Sequence, residues 1–123
     1  MAALTVTLYN RHGDGWQGTV LDGVWARWSQ GYGYAGGGMD SGRAESLLLI
    51  PWRAGYLPPQ EFEALADPAG HFTFQSGDGV LAGAGPEQVS GHLKAALPQV
   101  QILSEVRCHR CGSPLDHWEV LAR

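Results

Sequence analysis

The chain has 123 residues, of which 44% are hydrophobic and 16% charged, and its net charge is −4. This composition predicts one globular domain with a single modest core. Its 18 glycines and seven prolines favour a loop-rich β protein over a helical bundle. The sequence has no run of lysines or arginines, which disfavours a broad nucleic-acid-binding surface. It also has no secretory signal and no apolar stretch near the roughly 20 residues that span a bilayer, so we expect a cytoplasmic chain with no membrane partner.

The first 28 residues predict two strands joined by a turn. Residues 3–10 alternate between two faces, as a half-buried strand does. Residues 11–18 contain three glycines and predict the turn. Residues 19–28 predict the second strand, in which Asp22-Gly23 is either a hairpin turn or a bulge. The bulge is favoured, because the arms of a hairpin at that point would be very short.

The next segment predicts a long, flexible, glycine-rich loop. Six glycines fall within residues 29–45, and ordering so many costs much conformational entropy. A loop of this length in a small domain is usually functional or disordered. Gly31, Gly33 and Gly36 match the dinucleotide-binding spacing, but the residues that follow cannot open the helix that this site requires. The match therefore indicates no cofactor.

The middle of the chain predicts several short elements. Residues 46–53 predict a buried strand, and Pro51 places this strand at a sheet edge or ends it there. Residues 57–70 predict a short helix. Residues 71–83 predict two strand pieces around a turn. Residues 87–98 fit either a strand or a helix.

The C-terminal part predicts a long strand over residues 99–110, a turn at 112–114 and a last strand over 115–122. The elements sum to six or seven strands with one or two short helices. We therefore expect a mainly β fold, a small single-domain β-barrel or sandwich that covers residues 1–123.

The Cys-x-x-Cys spacing of Cys108 and Cys111 raises the question of a metal site. Structural zinc needs four converging ligands, and His109 and His117 are the available additions. On a strand, however, His109 points away from Cys108, which splits the ligands between two faces. A redox pair would need a helix after the motif, and Gly-Ser-Pro follows instead. We expect no metal and two free thiols, and a small zinc-binding adaptor module remains the alternative.

The titratable residues predict no catalytic centre. The acidic residues fall in different turns, so spacing fixes no pair of carboxylates. The histidines match no nucleophile–base motif. We therefore expect a protein that is not an enzyme and has no catalytic residue and no cofactor.

Aromatic residues are the candidates for a contact surface, because tryptophan and tyrosine are enriched at interface anchors. The alternative is that the tryptophans simply belong to the core. The candidate interface residues are Trp16, Trp25, Trp28, Tyr32, Tyr34 and Met39.

Several stretches together resemble a family of small structural proteins of tailed phages and prophages of Gram-positive bacteria. These stretches are LTVTLYNR near the start, YLPPQEFEAL and GHFTFQSGDGVLAG in the middle, and GSPLDHWEV near the end. In that family Gly-Ser-Pro and His-Trp-Glu-Val are typical, whereas the positions of Cys108 and Cys111 are not cysteines. The resemblance is weak over residues 29–45 and 84–98.

The resemblance implies a virion structural role in the neck, as a head-closure or head–tail connector subunit assembled in the bacterial cytoplasm. Such proteins are mostly β-barrels that form rings, here of six- or twelve-fold symmetry. The implied partners are further copies of the chain, the portal or adaptor, and tail proteins, while DNA passes through without sequence-specific binding. A minor capsid protein or a tail terminator is the alternative within the virion.

Overall fold

Antiparallel strands make up most of the chain in the computed structural model, which describes residues 2–28, 45–109 and 116–123. The described part contains seven strands and two short helices. In chain order they are β1 (Ala2–His12), β2 (Gly15–Arg27), β3 (Ser46–Pro51), α1 (Pro59–Glu63), β4 (Gly79–Ala82), β5 (Gln88–Ser90), α2 (Leu93–Ala96), β6 (Gln101–His109) and β7 (His117–Ala122).

Six of the strands close into a barrel. The order is β1-β4-β6-β7-β3-β2, and β1 pairs with β2 to complete the circle. β5 adds to the first residues of β2, outside this circle. The mainly β prediction is confirmed, and the architecture is a barrel.

The barrel interior holds the main core. Its centre is Trp118 of β7, which is 1% exposed and stacks on Trp52 with ring centroids 4.5 Å apart. Tyr56 and Phe74 lie against the same indole, each with centroids 4.9 Å away. The other buried members are Val6, Leu8, Leu21, Val24, Ala26, Leu48, Ile50, Phe72, Val80, Leu103, Val120 and Ala122. A smaller cluster of Tyr9, Val89, Leu93 and Val100 lies apart from it.

The first strand is buried on both faces, although its alternation predicts burial of one face only. Leu8 faces the barrel core, whereas Thr7 and Tyr9 are both 0% exposed on the other face. The segment after β4 covers them, since the Thr7 hydroxyl donates to the Gly83 carbonyl at 2.7 Å and the Tyr9 hydroxyl donates to the Pro86 carbonyl at 2.8 Å. The half-buried expectation is therefore wrong for this strand.

The second strand carries the predicted bulge. The pairing of β1 with β2 shifts register on either side of Thr5, so that this one residue lies opposite both Asp22 and Gly23. The Thr5 hydroxyl donates to Asp22 Oδ1 at 2.9 Å. Gly23 has φ of +69°, a conformation that glycine adopts without steric cost. The bulge is confirmed and the hairpin alternative is wrong.

Three predicted elements differ in extent from those observed. The turn predicted over 11–18 is confined to 13–14, because strand pairing continues from His12 across to Gly15. The helix predicted over 57–70 covers only the five residues of α1. Residues 71–83 contain one strand, β4, while Phe72 makes only an isolated bridge to Tyr56.

Residues 87–98, whose sequence fits either a strand or a helix, contain both: the strand β5 comes first and the helix α2 follows it. Pro51 ends β3 as predicted, but β3 is not an edge strand, because it pairs with β2 on one side and β7 on the other. In β6 a second bulge at Ser104 interrupts the predicted alternation. Residues 29–44 of the predicted loop and the predicted turn at 112–114 lie outside the described residues.

The bulge yields a test of backbone conformation. A Cβ added at Gly23 would meet open space, so any cost of a side chain there comes from the positive φ. We expect Gly23→Ala to lower the free energy of unfolding by about 1–2 kcal/mol, measured by urea denaturation. Gly23→Asn is the matched control and should cost less, because asparagine tolerates this conformation. Equal stability of the alanine variant and the wild type would contradict the assignment.

Candidate functional site

The candidate interface tryptophans lie at three separate places. Trp25 projects from the outer face of β2 and is 50% exposed. Trp16 lies near the start of β2, half-buried, where its Nε1 donates to the Gly91 carbonyl at 3.1 Å. Trp28 is partly buried against the barrel core. The remaining candidates, Tyr32, Tyr34 and Met39, lie outside the described residues.

Trp25 is the centre of an apolar surface on the outside of the barrel. It lies directly opposite Leu49 of β3, and Leu47 lies directly opposite Leu121 of β7. The three leucines are half-buried. Because paired residues of antiparallel strands share a face, and Leu47 and Leu49 are two residues apart on β3, these four side chains lie on one face, which we call the Trp25 surface.

Sequence reasoning did not identify the leucines of the Trp25 surface as interface candidates. The run Ser-Leu-Leu-Leu-Ile predicts a strand that is buried on both sides, since every position is apolar or small. In the barrel, Leu48 and Ile50 face the core while Leu47 and Leu49 face outward. The unbroken apolar run was the signal that the outer face of β3 is also suited to contact.

A groove lined by both polar and apolar side chains lies at the opposite end of β2. Its volume is about 490 Å³. His12 at its edge is held in place, because its Nε2 lies 2.8 Å from the Leu65 carbonyl and its ring meets Phe62 edge-on at 5.5 Å. This histidine therefore has a structural role. The groove is lined by His12, Asp14, Gly15, Trp16, Gln17, Pro68, Gln88, Val89 and Ser90.

The candidate metal ligands divide between the two faces of the β6–β7 hairpin. Cys108 is opposite Trp118, a residue of the barrel core, whereas His109 is opposite His117. The two histidines therefore share the outer face, and the Cys108 thiol lies on the other one. Cys111 lies outside the described residues. Within the part of the chain that the structure describes, no three His, Cys, Asp or Glu side chains are grouped to hold a metal ion.

A buried polar network joins β1 to the segment before β4. The side-chain amide of Asn10 donates to the Thr73 carbonyl at 2.7 Å and to Asp78 Oδ2 at 2.8 Å. Its oxygen accepts from the Thr73 N–H at 3.1 Å. Asn10 is 0% exposed and Asp78 2%. The network satisfies polar groups that would otherwise be costly to bury.

Burial raises the pKa of Asp78 to about 6, and hydrogen bonds from the Asn10 side chain and the Arg11 and Gln75 backbone oppose the rise. The carboxyl group therefore changes charge near neutral pH inside the fold. Sequence reasoning placed Asp78 in a turn, and only the long-range contact with Asn10 identifies it as buried.

These features define a small closed antiparallel β-barrel with an exposed apolar surface on its outer wall. The chain belongs to a protein family of unknown function, DUF6751, whose model matches residues 1–123. No curated protein and no solved structure matches the chain. None of the helices among the described residues is long and apolar enough to cross a membrane.

The Asp78 carboxyl group yields a pH test. Its pKa is about 6 in the folded chain and about 3.9 in an unfolded one, so the folded chain binds this proton more tightly. The stability that Asp78 contributes is therefore fully present below about pH 4 and is lost as pH rises through 6. We expect the free energy of unfolding of the wild type, relative to Asp78→Asn, to fall by about 2 kcal/mol between pH 4 and pH 7.5.

Urea denaturation at several pH values measures this difference. Asp14→Asn controls for the loss of one negative charge, because Asp14 is exposed in the β1–β2 turn. Parallel stability profiles for the wild type and Asp78→Asn would contradict the raised pKa.

Proposed function

We propose that the chain is a virion structural protein, a ring-forming head-closure or head–tail connector subunit in the neck of a tailed phage or prophage. It acts by assembly and has no catalytic role. Its partners are further copies of itself, the portal or adaptor on one side and tail proteins on the other. A minor capsid protein or a tail terminator is the alternative role within the same particle.

The observation that carries the proposal is the exposure of Trp25. A half-exposed tryptophan directly opposite a leucine on the outer wall of a closed barrel favours contact with another protein, because tryptophan is enriched among the residues that dominate binding energy at interfaces. An interface of ordinary size buries about 800 Å² on each partner. The Trp25 surface therefore serves as the centre of a larger contact.

The closed barrel agrees with this role in a second way. A barrel leaves few free strand edges, so subunits joined through side-chain patches keep their own folds when they assemble. Closed rings of identical subunits also need two different complementary patches, and the groove near His12 and Asp14 is available as the second one.

The charge of the chain is compatible with a DNA channel. A ring through which DNA slides should not hold phosphates strongly, and a subunit with a net charge of −4 offers little cationic surface for such contacts. The resemblance of four stretches of the sequence to phage neck proteins gives the proposal its particular position in the particle.

The Trp25 surface yields a test of assembly. We expect the wild type to form rings as concentration rises or when portal-side proteins are present, observed by native mass spectrometry and light scattering. Trp25→Asp should weaken subunit association by at least about 2 kcal/mol, roughly 30-fold. The matched control is Ala95→Asp, which adds the same charge at an exposed position of α2.

A strict monomer at every concentration, with and without portal-side proteins, would contradict the ring. Equal loss of assembly in the Trp25 and Ala95 variants would contradict the role of the Trp25 surface. The genes beside this one supply an independent check, since portal, capsid and tail genes are the neighbours that the proposal expects.

A further inference from the structure

Two imidazole rings face each other on the outer side of the β6–β7 hairpin. His109 and His117 are directly opposite in the strand register. Their ring centroids are 4.7 Å apart and their planes differ by 16°. The side chain of His109 is 47% exposed. Two metal-binding side chains are thus held next to each other by backbone pairing, at a position open to water.

A neighbouring carboxylate selects the tautomer of one ring. Glu119 lies two residues after His117 on the same outer face, and its Oε1 is 3.1 Å from His109 Nε2. An ionised carboxylate only accepts hydrogen bonds, so Nε2 carries the proton and Nδ1 of the neutral ring keeps its lone pair. Histidines that bind metal characteristically donate their other N–H to a carboxylate in this way.

We propose that His109 and His117 bind one divalent transition-metal ion, with Zn²⁺ as its representative. His109 Nδ1 and one ring nitrogen of His117 are the ligands, and water completes the coordination. Glu119 is a positioning residue that accepts the His109 Nε2–H, which leaves Nδ1 as the ligand atom. Imidazole nitrogen is a favoured ligand for Zn²⁺, Ni²⁺ and Cu²⁺.

Binding requires the exposed His109 ring to turn out of the stack. At Zn–N distances of about 2.0–2.1 Å and tetrahedral angles, the two nitrogens lie about 3.3 Å apart. In the stacked rings, with centroids at 4.7 Å, the nitrogen lone pairs lie in nearly parallel planes, so the exposed His109 ring must rotate about its side-chain bonds until the two lone pairs converge on the ion. With only two protein ligands, the site binds more weakly than a structural zinc centre with four.

This site differs from a cysteine-based one. Cys108 is opposite Trp118 in the register, so its thiol lies on the other face of the hairpin from both histidines. The ion therefore needs neither a thiolate nor the Cys-x-x-Cys spacing. It also does not depend on ring assembly, since both ligands belong to one subunit.

The test is a Zn²⁺ titration of the untagged protein by isothermal calorimetry near pH 7.5. We expect one ion per chain. His109→Ala and His117→Ala should each weaken binding at least about tenfold, and Glu119→Ala should weaken it about tenfold by removing the acceptor of the His109 Nε2–H. His92→Ala, which removes an exposed histidine before α2, and Cys108→Ala should bind as the wild type does.

Two further measurements keep the outcome independent of folding. Circular dichroism checks that each variant retains its strands, and bound Zn²⁺ should raise the Tm of the wild type but not of His117→Ala, because only the folded hairpin presents both rings. Absence of stoichiometric binding would overturn the proposal. So would unchanged binding in the doubly substituted His109→Ala, His117→Ala chain, or loss of binding in Cys108→Ala.

Discussion

The rest of the structure depends on the use of both edges of β1. This strand pairs with β2 along its whole length and with β4 over four residues, and the second pairing closes the barrel. Closure fixes an inside, where Leu8 meets the Trp118 cluster, and an outside, where the Tyr9 hydroxyl is bound by the Pro86 carbonyl. The Asn10 network then attaches the segment before β4 to the same strand. A single strand therefore organises the core, its outer cover and the buried polar contacts.

Sequence reasoning succeeded where the determining interactions are local. The alternation of residues 3–10 identifies a strand, and Asp22-Gly23 identifies a bulge, because period and turn chemistry act over a few residues. Sequence reasoning failed where contacts with segments distant in the chain determine which residues are buried. Nothing near Tyr9 indicates that residues 83–86 will cover it, so its face appears exposed from the sequence.

The candidate surfaces show the same division. Tryptophan and histidine content directed attention to suitable residue types, but their grouping follows from register. His109 and His117 are eight residues apart, and only the pairing of β6 with β7 brings their rings together. Trp25 joins Leu49 through the pairing of β2 with β3, across a segment that contains the whole glycine-rich stretch. The sequence treats the three tryptophans as one group. They separate because Trp16 and Trp25 lie at different ends of β2, and Trp28, which directly follows β2, packs against the core whereas Trp25 faces outward.

The two bulges also determine which residues the barrel presents to its surroundings. Side chains along a regular strand alternate, so with Leu21 inside, an uninterrupted β2 would place Trp25 inside as well. The extra residue at Asp22-Gly23 reverses the alternation from that point on, so Val24 faces the core and Trp25 faces outward. The extra residue at Ser104 does the same in β6, since Leu103 and Val106 both face inward and His109 is left outside. Removing one residue from either strand would exchange inner and outer side chains beyond that point. The exact number of residues in each of these two strands therefore determines which side chains form the outer surface and which form the core.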